Sequence, residues 1–414
     1  MITIRPLRGY RPTPEMAAQV AAPPYDVIST EEARSLAQGN PHSFLHVNKP
    51  EIDLPEKTPL YSDQVYDKGR ENLLRFIASG ILRQDDTPAI YVYRLTWKGH
   101  AQTGYLCLSA VDDYLQGRIK KHELTRADKE ADRTKLTDVQ DAQVGPVFLF
   151  YPSTPHLDEI LMETTTTTAA VDFTSPDGVT HQLWMITDPE RIHLIESLFS
   201  ALPATYVADG HHRSASACNV CLLRRKENPH YSGQEPFNYF LSVIFPHDQL
   251  RILPYNRVVK DLNGLSATMF LEKIATAFKI EPNVSPPAAD QPHRFGMYLQ
   301  GRWYRLTAHP TGYLEEDPLE SLDVNILMKQ LLAPILNIGD PRTDKRIDFI
   351  GGIRGDEELV RLVDAGKFMV AFSLYPTSMR QLMRVAEAGL IMPPKSTWFE
   401  PKLKSGLVVH RLTS

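Results

Sequence analysis

The 414-residue chain holds only three cysteines, Cys107, Cys218 and Cys221. Three are too few for a disulfide scaffold, which excludes a small secreted fold held together by bridges. No stretch approaches the ~18 consecutive apolar residues of a membrane span, which excludes an integral helical membrane protein. The opening MITIRPLRGYRPTPEM has no apolar run of the kind a secretory signal needs, and the chain is expected to be cytoplasmic. No charge of either sign dominates, since 45 Lys and Arg stand against 50 Asp and Glu, a formal net charge of -5. Such a balance gives no overall attraction to polyanions. With no basic strip interleaved with aromatics, nucleic acid is not an expected partner.

What is present is an ordinary core-forming composition, 42% hydrophobic and 23% charged, at a length that calls for two or three domains. The 32 prolines fall mostly between patterned segments, as in APPYDV, SPPAADQP and MPPKST, and predict stiff, ordered loops. Helices are expected around Thr30 to Gln38 and Ser62 to Ser79. The segments AIYVYRLTW and TGYLCLSAV alternate apolar and polar residues around a glycine turn and predict a hairpin. GPVFLFYP has the length of a buried strand, and Asp188 with Pro189 marks a helix start. Strand TYVAD then leads into a helix of small residues, and further strands and helices alternate to the C-terminus. The pattern predicts an α/β protein with mixed sheets. It restarts near Leu265, which divides the chain into residues 1–263 and 264–414, with MPPKSTWFEPK expected to reach the site of the first region.

The densest chemistry lies in ATYVADGHHRSASACNVC, Ala204 to Cys221. A strand ending at Asp209, a turn at Gly210 and a helix start gather backbone N–H groups and the positive end of a helix dipole at one point. His211, His212 and Arg213 add donors, Arg213 as a fork for phosphate or carboxylate, while Asp209 can accept a proton or hold a divalent cation. Ser214 to Ala217 allow close helix packing. A lone histidine here reads as a solvated helix cap; five such residues in one turn favour an anion site. Cys218 and Cys221 sit in one helical stretch without a second ligand pair, so they read as core and no metal-ligand set is assigned.

A second cluster, RIKKHELTRADKEADR, places His122 and Glu123 ahead of a charged helix, with Thr125 and Asp128 as its N-cap signature. Arg126 and Arg133 are candidate clamps for a substrate carboxylate or phosphate. Two proline-stiffened loops also carry groups able to reach a ligand: Tyr25 and Asp26 in AAPPYDVIS, and Lys395, Ser396, Thr397, Glu400 and Lys402 in MPPKSTWFEPKLKSG. Lys395, Ser396 and Thr397 are taken as candidate phosphate-binding residues.

The motifs APPYDVI, NPHSFLHV, KHELTRADKEADR, GPVFLFY, ADGHHRSASA, IGGIRG and MPPKSTWFEPKLKSGLVVH together resemble a prokaryotic family of proteins with a domain of unknown function, number 1015. YVADGHHRSASA is also similar to the Asp-Gly-His-X-Arg turn of the ParB and sulfiredoxin superfamily, which includes free serine kinases that use ADP or ATP. That resemblance implies that Asp209, Gly210, His211, His212, Arg213 and Ser214 hold nucleotide phosphates, with Mg²⁺ as cofactor. Together the readings point to an enzyme that moves a phosphoryl group between a nucleotide and serine or phosphoserine, with Glu123 as base toward the acceptor hydroxyl. A phosphoserine phosphatase and a nucleotide-gated regulatory module are the alternatives. The oligomeric state is not legible.

Overall fold

The computed structural model describes residues 1–286 and 288–413. They form two compact units, Met1–Leu250 with Pro401–Ser414, and Arg251–Glu400. The architecture is mixed α/β, as the sequence pattern predicts.

In the first unit the period-2 segments become β2 (Ile90–Trp97) and β3 (His100–Ala110), joined by Lys98 and Gly99, both at positive φ. This pair of left-handed residues gives the tight turn that suits twisted strands. With β1 (Ile4–Arg5), β4 (Ile119–Lys120), β5 (Val147–Tyr151), β6 (Val171–Thr174), β7 (Thr180–Ile186), β8 (Thr205–Asp209) and β9 (Tyr239–Pro246) they build a nine-stranded sheet. Its order is β4-β8-β5-β9-β3-β2-β7-β6, with β1 on β3. The sheet is mixed: β4 runs parallel to β8 and β5 parallel to β9, while the remaining pairs are antiparallel. Every residue of β5 and of β9 is buried, as their largely apolar sequences require.

The helices of this unit include α1 (Thr30–Ala37), α2 (Asp63–Ala78), α3 (Ala127–Gln140), α4 (Pro189–Ser200) and α5 (His211–Glu227). Ser29 and Glu32 close a capping box on α1, and Asp188 caps α4 by accepting from the Arg191 N–H. α3 departs from its expected start. Its N-cap is Arg126, with no side-chain cap, and the Thr125 hydroxyl bonds to the Glu130 carboxylate instead. Ile90, Tyr105, Phe199, Val207, Cys218, Val220, Cys221 and Phe240 share one core, so the two helical cysteines pack inward. The segment after Glu400 returns to this unit: Ser405 bridges Ala22 and Val409 bridges Tyr10.

The second unit carries an antiparallel six-stranded sheet of β10 (Tyr255–Val259), β11 (Phe278–Pro282), β12 (Arg294–Leu299), β13 (Arg302–Ala308), β14 (Ile347–Gly351) and β15 (Val370–Ser373), ordered β11-β13-β12-β15-β10-β14. Helices α6 (Ala267–Ile274), α7 (Gly355–Asp364) and α8 (Met379–Glu387) accompany it. The long apolar segment from Leu322 to Leu336 is interrupted: its helix runs only over Asp323–Leu327 before a π turn at Met328–Leu332.

Candidate functional site

Parallel pairing brings the two motifs together. Ile119 pairs with Thr205 and Lys120 with Tyr206, so both chains leave the sheet side by side, one toward His122 and Glu123, the other toward Asp209 and His211. Sites in α/β sheets form at such carboxyl ends of strands. Between Val207 and Asp209 the register of β8 against β5 slips, an irregularity that re-aims the following side chain.

Gly210 then turns the chain at φ 91° and begins α5 without a side-chain cap. A Cβ at Gly210 would stand 3.1 Å from the Arg213 guanidinium, so this position requires glycine both for its left-handed backbone and for the arginine laid across it. Arg213 lies against three groups. Its Nη2 is 3.5 Å from Asp209 Oδ2 and 3.7 Å from Asp26 Oδ2, and Nη1 donates to the Pro146 carbonyl. Lys402 Nζ donates to Asp209 Oδ2 at 3.2 Å. Burial works to raise the Asp209 carboxyl, but Lys402 and Arg213 overcome it and hold the group well below the ordinary carboxylate range.

His122 and His211 are buried, and their rings meet edge to face with centroids 4.6 Å apart. Burial lowers His122 to about 4 and His211 well below its ordinary value. Candidate ligand atoms of His122, Glu123 and His211 all lie within 4.8 Å of one another, a grouping to which the sequence reading assigned no metal role. His212 Nε2 accepts the backbone N–H of Arg126 at 3.1 Å, which ties the start of α3 to the first turn of α5. Asn219 reinforces the tie by donating to Glu130 Oε1 at 2.8 Å.

A cleft lies beside Arg213 in the same unit, and its walls include Tyr25, Asn48, Arg133, Gln140, Arg213 and Ser405. Arg133 sits over the Tyr25 ring at 4.2 Å, bonds Asp132 through Nε at 2.8 Å and donates to the Asn48 carbonyl at 3.3 Å. Two arginines chosen from separate motifs therefore line one cleft.

The Arg126 side chain is exposed and paired with Asp128 at 2.9 Å. Ser214 is buried, with its hydroxyl donating to the His211 carbonyl. Lys395, Ser396 and Thr397 belong to the second unit, where Arg257 donates to the Lys395 carbonyl at 3.0 Å and Thr377 to the Ser396 carbonyl at 3.1 Å. The C-terminal residue that meets Asp209 is Lys402, which the sequence marks only as one polar group among several in a proline-rich loop.

A mixed α/β unit with a polar strand-to-helix turn and an arginine-lined cleft defines the class. The chain belongs to the family described as protein of unknown function (DUF1015), matched over residues 4–325. No curated protein matches it. Among solved structures it is similar to a free serine kinase mutant in complex with AMP, at 12% identity and a TM-score of 0.39, over 74% of this chain and 92% of that one. A conserved hypothetical protein from Pyrococcus furiosus matches at 12% identity and 0.35, over 74% and 95%. SbnI with a C-terminal truncation, from Staphylococcus aureus, matches at 12% and 0.38, over 74% and 87%.

Proposed function

We propose that this protein transfers a phosphoryl group between a nucleotide, ADP or ATP, and serine or phosphoserine. The observation that carries the reading is the convergence of Arg133 and Arg213 on one cleft, next to a helix start with no side-chain cap. Phosphoryl transfer is accelerated chiefly by positioning and charge neutralisation, which a pair of arginine forks and a set of first-turn N–H groups supply. The nucleotide is taken from the resemblance of the YVADGHHRSASA turn.

In this reading Arg213 and the N–H groups of the first turn of α5 grip the nucleotide phosphates. Arg133, whose guanidinium carbon lies 4.2 Å from the Tyr25 ring centroid, receives the carboxylate or phosphate of the amino acid. In the forward direction the serine hydroxyl oxygen forms the new bond to phosphorus as the bond to the nucleotide's bridging oxygen breaks. Glu123 takes the hydroxyl proton, and His211 or His212 contributes a further donor. The donors suit Mg²⁺ poorly: two are imidazole nitrogens and the Asp209 carboxylate is engaged by Lys402 and Arg213, so no step is routed through that ion.

The test is ³¹P NMR of the purified protein with serine plus ATP or ADP, and with phosphoserine alone or with AMP or ADP. A new phosphorus signal that requires both nucleotide and amino acid supports the reading. Phosphate released from phosphoserine alone makes the protein a phosphatase, and silence in every mixture makes the site a binding module.

A further inference from the structure

We propose that His122, Glu123 and His211 bind a transition-metal ion of the Zn²⁺ class, with at least one coordination position left open. The inference goes beyond phosphoryl transfer, because it requires neither nucleotide nor amino acid.

Three observations carry it. First, the candidate ligand atoms lie within 4.8 Å of one another, a spread that modest side-chain rotation closes onto an ion with ligand bonds of about 2.0–2.2 Å. The backbone beneath them is fixed by the parallel pairing of β4 and β8. Second, His211 is 6% exposed and its Nε2 has no hydrogen-bond partner among the described residues. A buried imidazole nitrogen without a partner is costly to keep, and an ion would satisfy it. Third, His122 hydrogen-bonds the Val207 backbone, the kind of outer contact that orients an imidazole which binds metal through its other nitrogen.

The donor set decides the kind of ion. Two imidazoles and one carboxylate favour zinc and its neighbours over Mg²⁺, which prefers oxygen alone. The same set with an open position is the pattern of catalytic rather than structural zinc. The Lys121 ammonium lies 4.5 Å from the Tyr114 ring centroid, and Lys402 is held by Asp209. An ion here takes the Glu123 carboxylate as a ligand, so Glu123 serves as a free base only in the metal-free protein.

The full chain, stripped with a chelator and transferred to chelator-free buffer, is titrated with Co²⁺ by visible absorption and with Zn²⁺ by calorimetry, without nucleotide. The expected result is one equivalent of either ion, with cobalt ligand-field bands and no thiolate charge-transfer band. His211→Asn and Glu123→Gln should each weaken binding by at least ~100-fold, beyond the 10- to 100-fold typical of outer-shell changes. Circular dichroism confirms that each variant folds, and if His211→Asn does not, Glu123→Gln, a near-isosteric change at a half-buried position, decides alone. Absence of saturable binding, a thiolate band, or unchanged affinity in the folded variants overturns the proposal. Each of these results can arise whether or not phosphoryl transfer is found.

Discussion

Replacing Arg213 with alanine separates two roles of one guanidinium. In the free protein it donates to the Pro146 carbonyl and stands 3.5 and 3.7 Å from Asp209 and Asp26. A hydrogen bond from a charged donor contributes about 1.5–3 kcal/mol. The two carboxylates are 26% and 29% exposed and lie beyond hydrogen-bond distance, so solvent holds each pair to at most about 1 kcal/mol. Asp209 retains Lys402 at 3.2 Å, so it keeps a cationic partner. Arg213→Ala should therefore lower stability by about 3 kcal/mol, read from urea unfolding. Loss of one charge-assisted phosphate contact is worth a further ~1.5–3 kcal/mol in binding, or roughly 10- to 150-fold in nucleotide Kd by calorimetry. Arg213→Lys, which keeps the charge but not the fork, should fall between. A folded Arg213→Ala protein that binds nucleotide within a factor of two of the parent refutes the clamp.

In the metal-free protein Glu123→Gln should cut turnover by roughly 10²- to 10⁴-fold with nucleotide affinity retained; full turnover in steady-state assays sends the base elsewhere. His46 is raised above its ordinary value by its hydrogen bond to Asp53, 2.7 Å away. Its contribution to stability is then complete below the unfolded value near 6.5 and is lost as pH climbs through the raised folded value. Asp53→Asn should accordingly lower Tm more at pH 6 than at pH 8, and an equal drop at both refutes the coupling. Gly406 has φ 87°, and a Cβ there would stand 2.5 Å from the Phe44 ring. Gly406→Ala should destabilise by about 2–4 kcal/mol from left-handed strain plus overpacking, measured by chemical unfolding, and a change under 0.5 kcal/mol contradicts the close approach.

The elements set by local chemistry were legible. Asp188 and Pro189 announce α4, and the alternation around Lys98 and Gly99 announces the β2–β3 hairpin. α3 started with a different cap because Thr125 is claimed by Glu130 rather than by the helix backbone. At the site, the DGHHR turn could be read because its residues are consecutive. Its meeting with His122 depends on strand pairing across 86 residues, from Lys120 to Tyr206, and no periodicity encodes that. The cleft depends on contacts longer still in sequence, Arg133 with Tyr25 and Arg213 with Asp26. Lys402 stands among polar neighbours of similar appearance, and only the path of the chain distinguishes it.

That path sets an order of events during synthesis. Asp209 and Arg213 emerge from the ribosome long before Lys402, 193 residues later. At ~5–20 residues per second the interval is roughly 10–40 s. Throughout it the nascent first unit has Asp209 without its ammonium partner, and the 150 residues of Arg251–Glu400 must be made before the last segment can return to Ala22 and Tyr10. The finished electrostatics of the turn thus report that translation has passed the second unit, and a ribosome stalled within that unit holds a chain whose turn is still incomplete.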